Sequence, residues 1–335
     1  MSTEPVPPRP RAAREEAAAH SPARPGDACA PPAGGAPWRG DTVRQRLLGH
    51  ILGHFAHCST RSRLRWGRIL GWLVPRLLRS RAHVVDVNLQ KCFPDLDPAA
   101  RRALAARHYR LLAQSFVDRG LCWYGTPERI CATISLHGEA HLQTLLDQGR
   151  RVLMFAPHFI ALDAAATRLT LFLKESATLY SRQSNPDVDE VVRRGRGRFN
   201  QVHLVRRQDG VRGLIRHLRR GTPVYYLPDM DFGRQGSAFV PFFGVPAATL
   251  LSAAQIAATW DAVVVPIISR LDPDTGQYRV DIGPPLEDFP GAADPEAATA
   301  RLNALIEAEV RRDPAQYYWV HRRFKTRPPG EPGFY

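Results

Sequence analysis

Lysine is scarce in this chain of 335 residues: only three of its 46 basic residues are lysine, and the others are arginine. Arginine is better suited than lysine to bidentate recognition of phosphate and carboxylate groups. Acidic residues number only 32, so the formal net charge is +14. A balance this basic predicts an anionic partner, which could be a nucleic acid, a membrane surface or a phosphorylated substrate.

Several sequence signals are absent, and each absence argues against a class of protein. No apolar run reaches the length of a membrane-spanning helix, and the first 40 residues lack the apolar core of a secretory signal. The five cysteines form no C-x-x-C pair, which argues against a structural zinc site. No serine nucleophile elbow, Walker loop or G-x-G-x-x-G stands where its function requires it. We therefore expect no metal and no cofactor.

Composition divides the chain into three segments. Residues 1–40 are rich in proline, alanine, glycine and arginine without periodicity, which predicts a disordered tail. Residues 41–83 are predicted to be basic amphipathic helices that associate with a membrane. Residues 84–335 contain the remaining periodic segments and are predicted to form the enzymatic domain.

The membrane prediction rests on residues 44–81, which hold nine arginines and no acidic residue. Two apolar pieces lie between the arginines, with Phe55, Trp66 and Trp72 in or beside them. Apolar and aromatic faces flanked by arginine suit a helix lying in a membrane interface. The plainer alternative is a basic helical hairpin packed on the protein's own core. A nucleic-acid-binding arm fits less well, because the apolar content is high for a surface that only follows phosphates.

Strand-like and helix-like segments alternate from about residue 150 to the C-terminus. This alternation predicts an α/β fold with a mostly parallel central sheet flanked by helices. We also expect an apolar loop at Phe239–Gly244 and a helix of small residues at Ala248–Thr259.

The stretch around residue 158 carries the clearest chemical signal. A short apolar strand ends at Pro157, and a run of helix-forming residues follows, with His158 at the junction and Asp163 five residues later. Residues five apart on one helix do not share a face, so the two side chains can meet only if His158 precedes the helix. A carboxylate would then fix the imidazole tautomer and leave a general base. The plainer alternative is a turn histidine and a first-turn acid favoured by the helix dipole.

Other polar residues follow predicted strands and are expected to gather at the same edge of the sheet. These are Arg182 and Asn185 after one strand, and Asp229 and Asp231 after another. Two acids without a third ligand argue against a metal site, so we favour polar positioning or loop structure for this pair. The arginines between 193 and 198 could bind an anion or could simply form a solvated face.

Seven segments, in order along the chain, match the sequence pattern of one known family: Asn88–Pro94, Ala156–Asp163, Asn185-Pro186, Gly195–Arg198, Tyr226–Gly233, Phe239–Gly244 and Tyr318–Pro328. Through these segments the chain resembles the late acyltransferases of lipid A synthesis, the lauroyl and myristoyl transferases. The resemblance covers about residues 44–335. Two departures are visible: many members have glutamate at the position of Asp163, and Pro228–Asp231 replaces the Glu-Gly-Thr block of glycerolipid acyltransferases. The second departure argues against a glycerol-phosphate acceptor.

The resemblance implies a membrane-bound enzyme at the cytoplasmic face of the inner membrane. Such an enzyme moves a fatty acyl chain from acyl carrier protein to a hydroxyl of a Kdo-bearing lipid A precursor. The expected partners are therefore acyl carrier protein, the lipid A precursor and an anionic membrane surface, with no nucleic acid. The alternatives are an acyltransferase for another membrane glycolipid or aminolipid, and a basic nucleic-acid-binding protein.

The roles that follow from this resemblance can be assigned residue by residue. His158 would deprotonate the acceptor hydroxyl, and Asp163 would orient His158. The helix N-terminus after His158 would stabilise the oxyanion. Five residues are assigned to binding of the substrate and of its phosphate or Kdo carboxylate groups. They are Arg182, Asn185, Arg196, Arg198 and Asp229.

Overall fold

A seven-stranded sheet forms the centre of the structure, a computed structural model that describes residues 35–335. The strand order is β1-β9-β8-β2-β5-β3-β4, and every neighbouring pair is parallel except β8 with β9. This confirms the prediction of an α/β fold with a mostly parallel sheet. The strands are β1 (Ile134–His137), β2 (Arg151–Phe155), β3 (Glu175–Tyr180), β4 (Gln201–Arg206), β5 (Val224–Tyr226), β8 (Ala262–Leu271) and β9 (Tyr278–Ile282).

A second sheet is the antiparallel hairpin of β6 (Ser237–Phe242) and β7 (Val245–Leu250). The prediction for this region was therefore wrong in part: the apolar loop and the first residues of the small-residue helix are paired strands. Pairing of the two strands accounts for the difference: Val240 and Phe242 of β6 are buried on either side of exposed Pro241, and residues 247–249 of β7 are all buried, so the hairpin packs on the core.

Helices flank the central sheet, and five of those in residues 35–335 precede its first strand. Several begin with a side-chain cap followed by proline, as at Asp97, Asn185 and Asp294, which explains where they start. The helices are α1 (Val43–His57), α2 (Thr60–Leu77), α3 (Arg79–Cys92), α4 (Pro98–Tyr124), α5 (Pro127–Thr133), α6 (Glu139–Asp147), α7 (Leu162–Phe172), α8 (Pro186–Arg196), α9 (Arg212–Arg219), α10 (Ser252–Trp260) and α11 (Pro295–Arg312).

The N-terminal helices α1 and α2 pack against α4, so they are part of the folded body. Gly120 of α4 allows the close approach of α1, because a Cβ there would lie 2.4 Å from the Leu52 carbonyl oxygen. Arg63 of α2 is buried and its Nε donates to Asp118 of α4 at 2.6 Å, and Tyr278 of β9 donates to the same carboxylate at 2.7 Å. Removing one partner of such a buried pair strands the other, which typically costs about 3–5 kcal/mol. The boundary predicted between residues 83 and 84 falls inside α3, and the division into segments stays a prediction.

The outer side of α1 and α2 leaves large apolar side chains in solvent, although the inner side is packed. Arginines stand among them, in keeping with an amphipathic surface. No helix within residues 35–335 is long and apolar enough to cross a bilayer. Membrane association of this surface remains a prediction, and the predicted tail at 1–40 lies mostly outside the described residues. The exposed apolar residues are Val43, Leu47, Ile51, Trp66, Ile69, Trp72, Leu77 and Leu78, and we call them the outer apolar surface.

Candidate active site

Two neighbouring strands, β2 and β5, bring the central pair of side chains together. They are parallel, with Phe155 opposite Tyr226, and each of these residues ends its strand. His158 and Asp229 each lie three residues beyond that matched pair. Both strands are buried, as parallel strands covered on two faces usually are. Their last residues are aligned, so the two loops that follow begin next to each other. The shared register therefore places the histidine beside the aspartate.

The carboxylate of Asp229 makes two contacts with His158. Its Oδ1 lies 2.6 Å from the imidazole Nδ1, and its Oδ2 accepts the His158 backbone N–H at 2.9 Å. Asp229 is 1% exposed, whereas the His158 side chain is 15% exposed. An acceptor at Nδ1 fixes the neutral tautomer with the proton on Nδ1, which leaves Nε2 as a base. No residue within 35–335 forms a hydrogen bond with Nε2, which leaves the lone pair of this nitrogen free to accept a proton.

The electrostatics of Asp229 suit this role. Burial by itself raises the pKa of Asp229. The charge of His158 and the hydrogen bonds from its ring and backbone lower the pKa by more than burial raises it, so the net pKa lies below the ordinary value. The carboxylate is therefore ionised at neutral pH. A charged, buried acceptor can hold the imidazole and stabilise the imidazolium that forms when Nε2 takes a proton.

The C-terminal segment completes the surroundings of this pair. Tyr317 donates its hydroxyl hydrogen to Asp229 Oδ2 at 3.1 Å, and the Tyr318 backbone N–H donates to the His158 carbonyl at 2.9 Å. Phe159 and Tyr317 also form an isolated antiparallel bridge. The turn that carries His158 is thus held on one side by β5 and on the other by residues 317–318.

Asp163 lies in the first turn of α7, and two arginines hold its carboxylate. Arg196 approaches Oδ1 with Nε at 2.9 Å and Nη2 at 2.8 Å, and Arg119 approaches Oδ2 with Nε at 3.0 Å and Nη2 at 2.9 Å. Burial raises the pKa of Asp163, and the two guanidinium groups more than offset that effect, so the net pKa is below the ordinary value. The buried carboxylate is therefore the anchor of a fixed arginine pair.

The expected contact between Asp163 and His158 is therefore not the arrangement in the structure. His158 does precede the helix, as the spacing requires, since α7 begins at Leu162. Its Nδ1 is turned to Asp229, however, and both Asp163 oxygens are occupied by arginine. The assignment of Asp229 to the substrate changes for the same reason, because its oxygens face His158 and Tyr317. A buried carboxylate needs compensating charge, and two arginines supply more of it than a neutral imidazole.

The arginine pair has capacity for a further anion. One carboxylate between two guanidinium groups leaves a local charge of about +1, and each arginine uses Nε and Nη2 on Asp163, which leaves its Nη1. Both side chains are about one-quarter exposed, at 25% and 27%. Tyr318 lies near both the His158–Asp229 pair and the arginine pair. Its ring centroid is 6.5 Å from that of His158, and the charges of Arg119, Asp163 and Arg196 act on its hydroxyl.

Two other predicted site residues lie at the C-terminal end of β3. Arg182 is 61% exposed and lies 4.0 Å from Asp189, at the rim of a surface cavity of about 480 Å³. Arg193 and Arg206 also line this cavity. Asn185 is the N-cap of α8, where its Oδ1 accepts the backbone N–H groups of the next turn. A role for Arg182 and Asn185 in substrate binding stays a prediction.

Arg198 and Asp231 are held by other parts of the protein. Arg198 donates to the carbonyl oxygens of Gly35 and Gly125 at 3.0 and 2.7 Å, and burial lowers its pKa to about 10. Those bonds use donors that a substrate anion would need, so the structure gives Arg198 a packing role. Asp231 accepts hydrogen bonds from Thr326 and from the Gly233 backbone, in agreement with the loop-structure interpretation.

Sequence reasoning missed Arg119 and Tyr317. Arg119 lies on α4, 44 residues before Asp163, and Tyr317 lies 88 residues after Asp229. No local spacing marks either residue. By contrast, the pairing of His158 with Asp229 has a detectable signal, because both residues follow buried apolar strands by the same short interval.

Comparison with known proteins supports a specific family. The profile described as bacterial lipid A biosynthesis acyltransferase matches residues 49–326. The chain is 33% identical over 272 residues to the lipid A biosynthesis lauroyltransferase of Escherichia coli strain K12, covering 81% of this chain and 88% of that protein. It is 32% identical over 270 residues to the palmitoleoyltransferase of that strain, covering 80% and 87%. It is 30% identical over 263 residues to the myristoyltransferase, covering 78% and 80%.

Proposed function

Because the chain belongs to the bacterial lipid A biosynthesis acyltransferases, we propose that it transfers a fatty acyl chain from acyl carrier protein to a hydroxyl of a lipid A precursor. Members of this family are acyltransferases, so the chain is an acyltransferase, and the alternative of a nucleic-acid-binding protein is set aside. The observation that carries the proposed chemistry is the contact of His158 Nδ1 with the buried carboxylate of Asp229, which leaves Nε2 of this partly exposed histidine as the base.

In the proposed reaction, Nε2 of His158 accepts the proton of the acceptor hydroxyl as its oxygen attacks the thioester carbonyl. Asp229 keeps the proton on Nδ1 and stabilises the resulting imidazolium. Collapse of the tetrahedral intermediate breaks the carbon–sulfur bond and expels the thiolate of acyl carrier protein, which takes the proton from the His158 imidazolium and becomes the free thiol. The products are an ester and a free thiol, so no enzyme-bound acyl group is required. The backbone amides at the start of α7 are our candidate for the oxyanion site.

We assign the phosphate or Kdo carboxylate of the acceptor to Arg119 and Arg196. Asp163 holds both guanidinium groups in place before the substrate arrives, which reduces the entropy lost on binding. Their local excess of positive charge and their partial exposure support the assignment. Arg182, at the rim of the cavity beside α8, is the candidate for a second anionic group.

The exposed arginines of α9 and the adjoining turn are the proposed docking surface for acyl carrier protein. Helix α9 has no acidic residue, and charge complementarity would favour an acidic partner. Its first members follow the C-terminal end of β4, the end of the sheet at which His158 and Asp229 leave β2 and β5, and α9 then returns toward the start of β5. Its exposed members are Arg206, Arg207, Arg212, Arg216, Arg219 and Arg220.

The outer apolar surface of α1 and α2 is the proposed membrane contact, at the cytoplasmic face of the inner membrane. Trp72 and Ile69 are 61% and 53% exposed, and a monomeric soluble protein rarely leaves such residues clustered. Neighbouring arginines would add about 1 kcal/mol each near an anionic bilayer. An enzyme held there has direct access to a lipid acceptor.

Mass spectrometry of the reaction products tests the proposed function. Purified protein, acyl carrier protein thioester and a Kdo-bearing lipid A precursor should yield a precursor heavier by one acyl chain, with the label of the donor acyl group recovered in it. An active preparation that acylates only another membrane glycolipid or an aminolipid would favour the alternative acceptor. No transfer to any of these lipids would contradict the proposal.

A further inference from the structure

We propose that Glu175, His203 and His217 form a binding site for a divalent transition metal of the zinc class. One ligand atom from each residue lies within 4.8 Å of those of the other two. Two imidazoles and one carboxylate are the protein ligands of several three-ligand zinc sites. These residues come from separate elements and have no motif spacing, so the sequence carries no signal for a metal at this place.

Three elements bring the side chains together. Glu175 begins β3, and His203 on β4 pairs with Ala177, two residues further along β3. Side chains two residues apart on a strand share a face, so Glu175 and His203 lie on one face of the sheet. Nε2 of His203 is 2.6 Å from Glu175 Oε1, and the ring of His217 from α9 stacks on His203 with centroids 4.0 Å apart.

Small side-chain movements would create the coordination geometry. Tetrahedral zinc with bonds of about 2.0–2.1 Å separates its ligand atoms by roughly 3.3 Å. The contact of 2.6 Å between His203 and Glu175 would therefore widen by about 0.7 Å as the ion replaces the shared hydrogen. His217 would turn out of the stack to direct a ring nitrogen at the ion. All three side chains are partly exposed, so these rotations are open to them, and water can complete the shell.

The donor set selects the class of metal. Imidazole nitrogens favour zinc, nickel and copper, whereas magnesium and calcium prefer shells of oxygen ligands. Arg216 and Arg220 add positive charge near His217, and the Glu175 carboxylate offsets part of it. The site is therefore suited to an ion that forms strong bonds to nitrogen.

The proposed metal site is separate from the catalytic pair of His158 and Asp229. Ala177, the partner of His203, is in register with Val224, which is in register with Leu153 of β2. His203 therefore lies at the level of Leu153, five residues before His158, and β5 and β3 separate its strand from β2. A metal there would join the edge strand β4 to β3 and α9, and it would take no part in acyl transfer.

Zinc binding to the full chain, freed of metal with a chelator and without a histidine tag, tests the proposal. We expect about one zinc ion per chain, with a higher melting temperature when zinc is present. Glu175→Gln, His203→Gln and His217→Gln should each weaken binding by more than 100-fold, since even an outer-shell partner contributes about 10- to 100-fold. His54→Gln is the matched control, because His54 Nε2 lies 3.4 Å from Cys58 Sγ and this pair is the competing site.

Each outcome decides the proposal. Absence of saturable zinc binding, or binding that survives His217→Gln and is lost in His54→Gln, would overturn it. If a variant does not fold, the visible spectrum of the Co²⁺-loaded wild-type chain gives the answer instead. Tetrahedral bands without a thiolate charge-transfer band support the site, whereas an octahedral spectrum or a thiolate band contradicts it.

Discussion

Replacing Asp229 with asparagine tests the orientation of His158 without removing the histidine. Oδ2 of Asp229 accepts two hydrogen bonds, from the His158 backbone N–H and the Tyr317 hydroxyl, whereas Oδ1 faces only Nδ1. An amide has a single oxygen, and a backbone N–H can only donate. We therefore expect the asparagine oxygen at the Oδ2 position and its NH₂ group against Nδ1.

This placement reverses the tautomer of His158. Nδ1 must then accept a hydrogen bond from the amide, so the ring proton moves to Nε2 and the base is lost. The corresponding reversal in a Ser-His-Asp site costs about 10⁴-fold in turnover. A general base contributes typically about 10²- to 10⁴-fold, so we expect a loss within that range for Asp229→Asn.

Single-turnover acyl transfer and the ¹⁵N spectrum of the labelled His158 ring measure the two consequences separately. Tyr317→Phe is the matched control, because it removes one hydrogen bond to Oδ2, worth about 1.5–3 kcal/mol for a charged acceptor, and leaves the carboxylate that faces Nδ1. Its turnover should fall less than that of Asp229→Asn, and the ring proton of His158 should stay on Nδ1. A folded Asp229→Asn protein with turnover close to wild type, or with the proton still on Nδ1, would show that Asp229 does not set the tautomer of the catalytic histidine.

Three further predictions concern Asp163 and the membrane contact. Asp163→Asn should raise KM for the lipid acceptor more than that for the donor, because Arg119 and Arg196 lose their shared anchor; equal effects on both substrates would contradict this. The pKa of Asp163 lies below its ordinary value of 3.8, so its stabilising contribution is complete above that pH and is lost as pH falls through the lower folded value. Melting temperatures of Asp163→Asn should accordingly fall less steeply than wild type in acid. Trp72→Ser combined with Ile69→Ser should reduce sedimentation with anionic vesicles at unchanged melting temperature, and full retention would place the membrane contact elsewhere.

The architecture of the central sheet could be predicted from sequence because its signal is local. Buried strands such as β2 and β8 are short runs of apolar residues, and caps such as Asp97 mark helix starts. The position of His158 before α7 followed from the same kind of reasoning, since five-residue spacing excludes a shared helix face. These features depend on neighbours in the chain.

The partners of the charged groups could not be predicted in the same way. Whether Asp163 meets His158 or arginine depends on Arg119, which α4 brings from 44 residues away, and on Arg196 at the end of α8. The pairing of Asp229 with His158 depends on β2 and β5 being adjacent, although they are separated in the chain by β3 and β4. The helices at 43–77 show the same limit: their composition indicates amphipathic faces, but burial of Arg63 against Asp118 requires the fold of α4.

The rate of acyl transfer by folded His158→Ala protein tests whether His158 is the general base. His83→Ala, which changes an exposed histidine of α3, is the control for the loss of an imidazole. With acyl carrier protein thioester and lipid acceptor both saturating, we expect a fall of about 10²-fold or more for His158→Ala and no change for His83→Ala. Turnover near the wild-type rate by His158→Ala protein of unchanged melting temperature would contradict the assignment of His158 as the base.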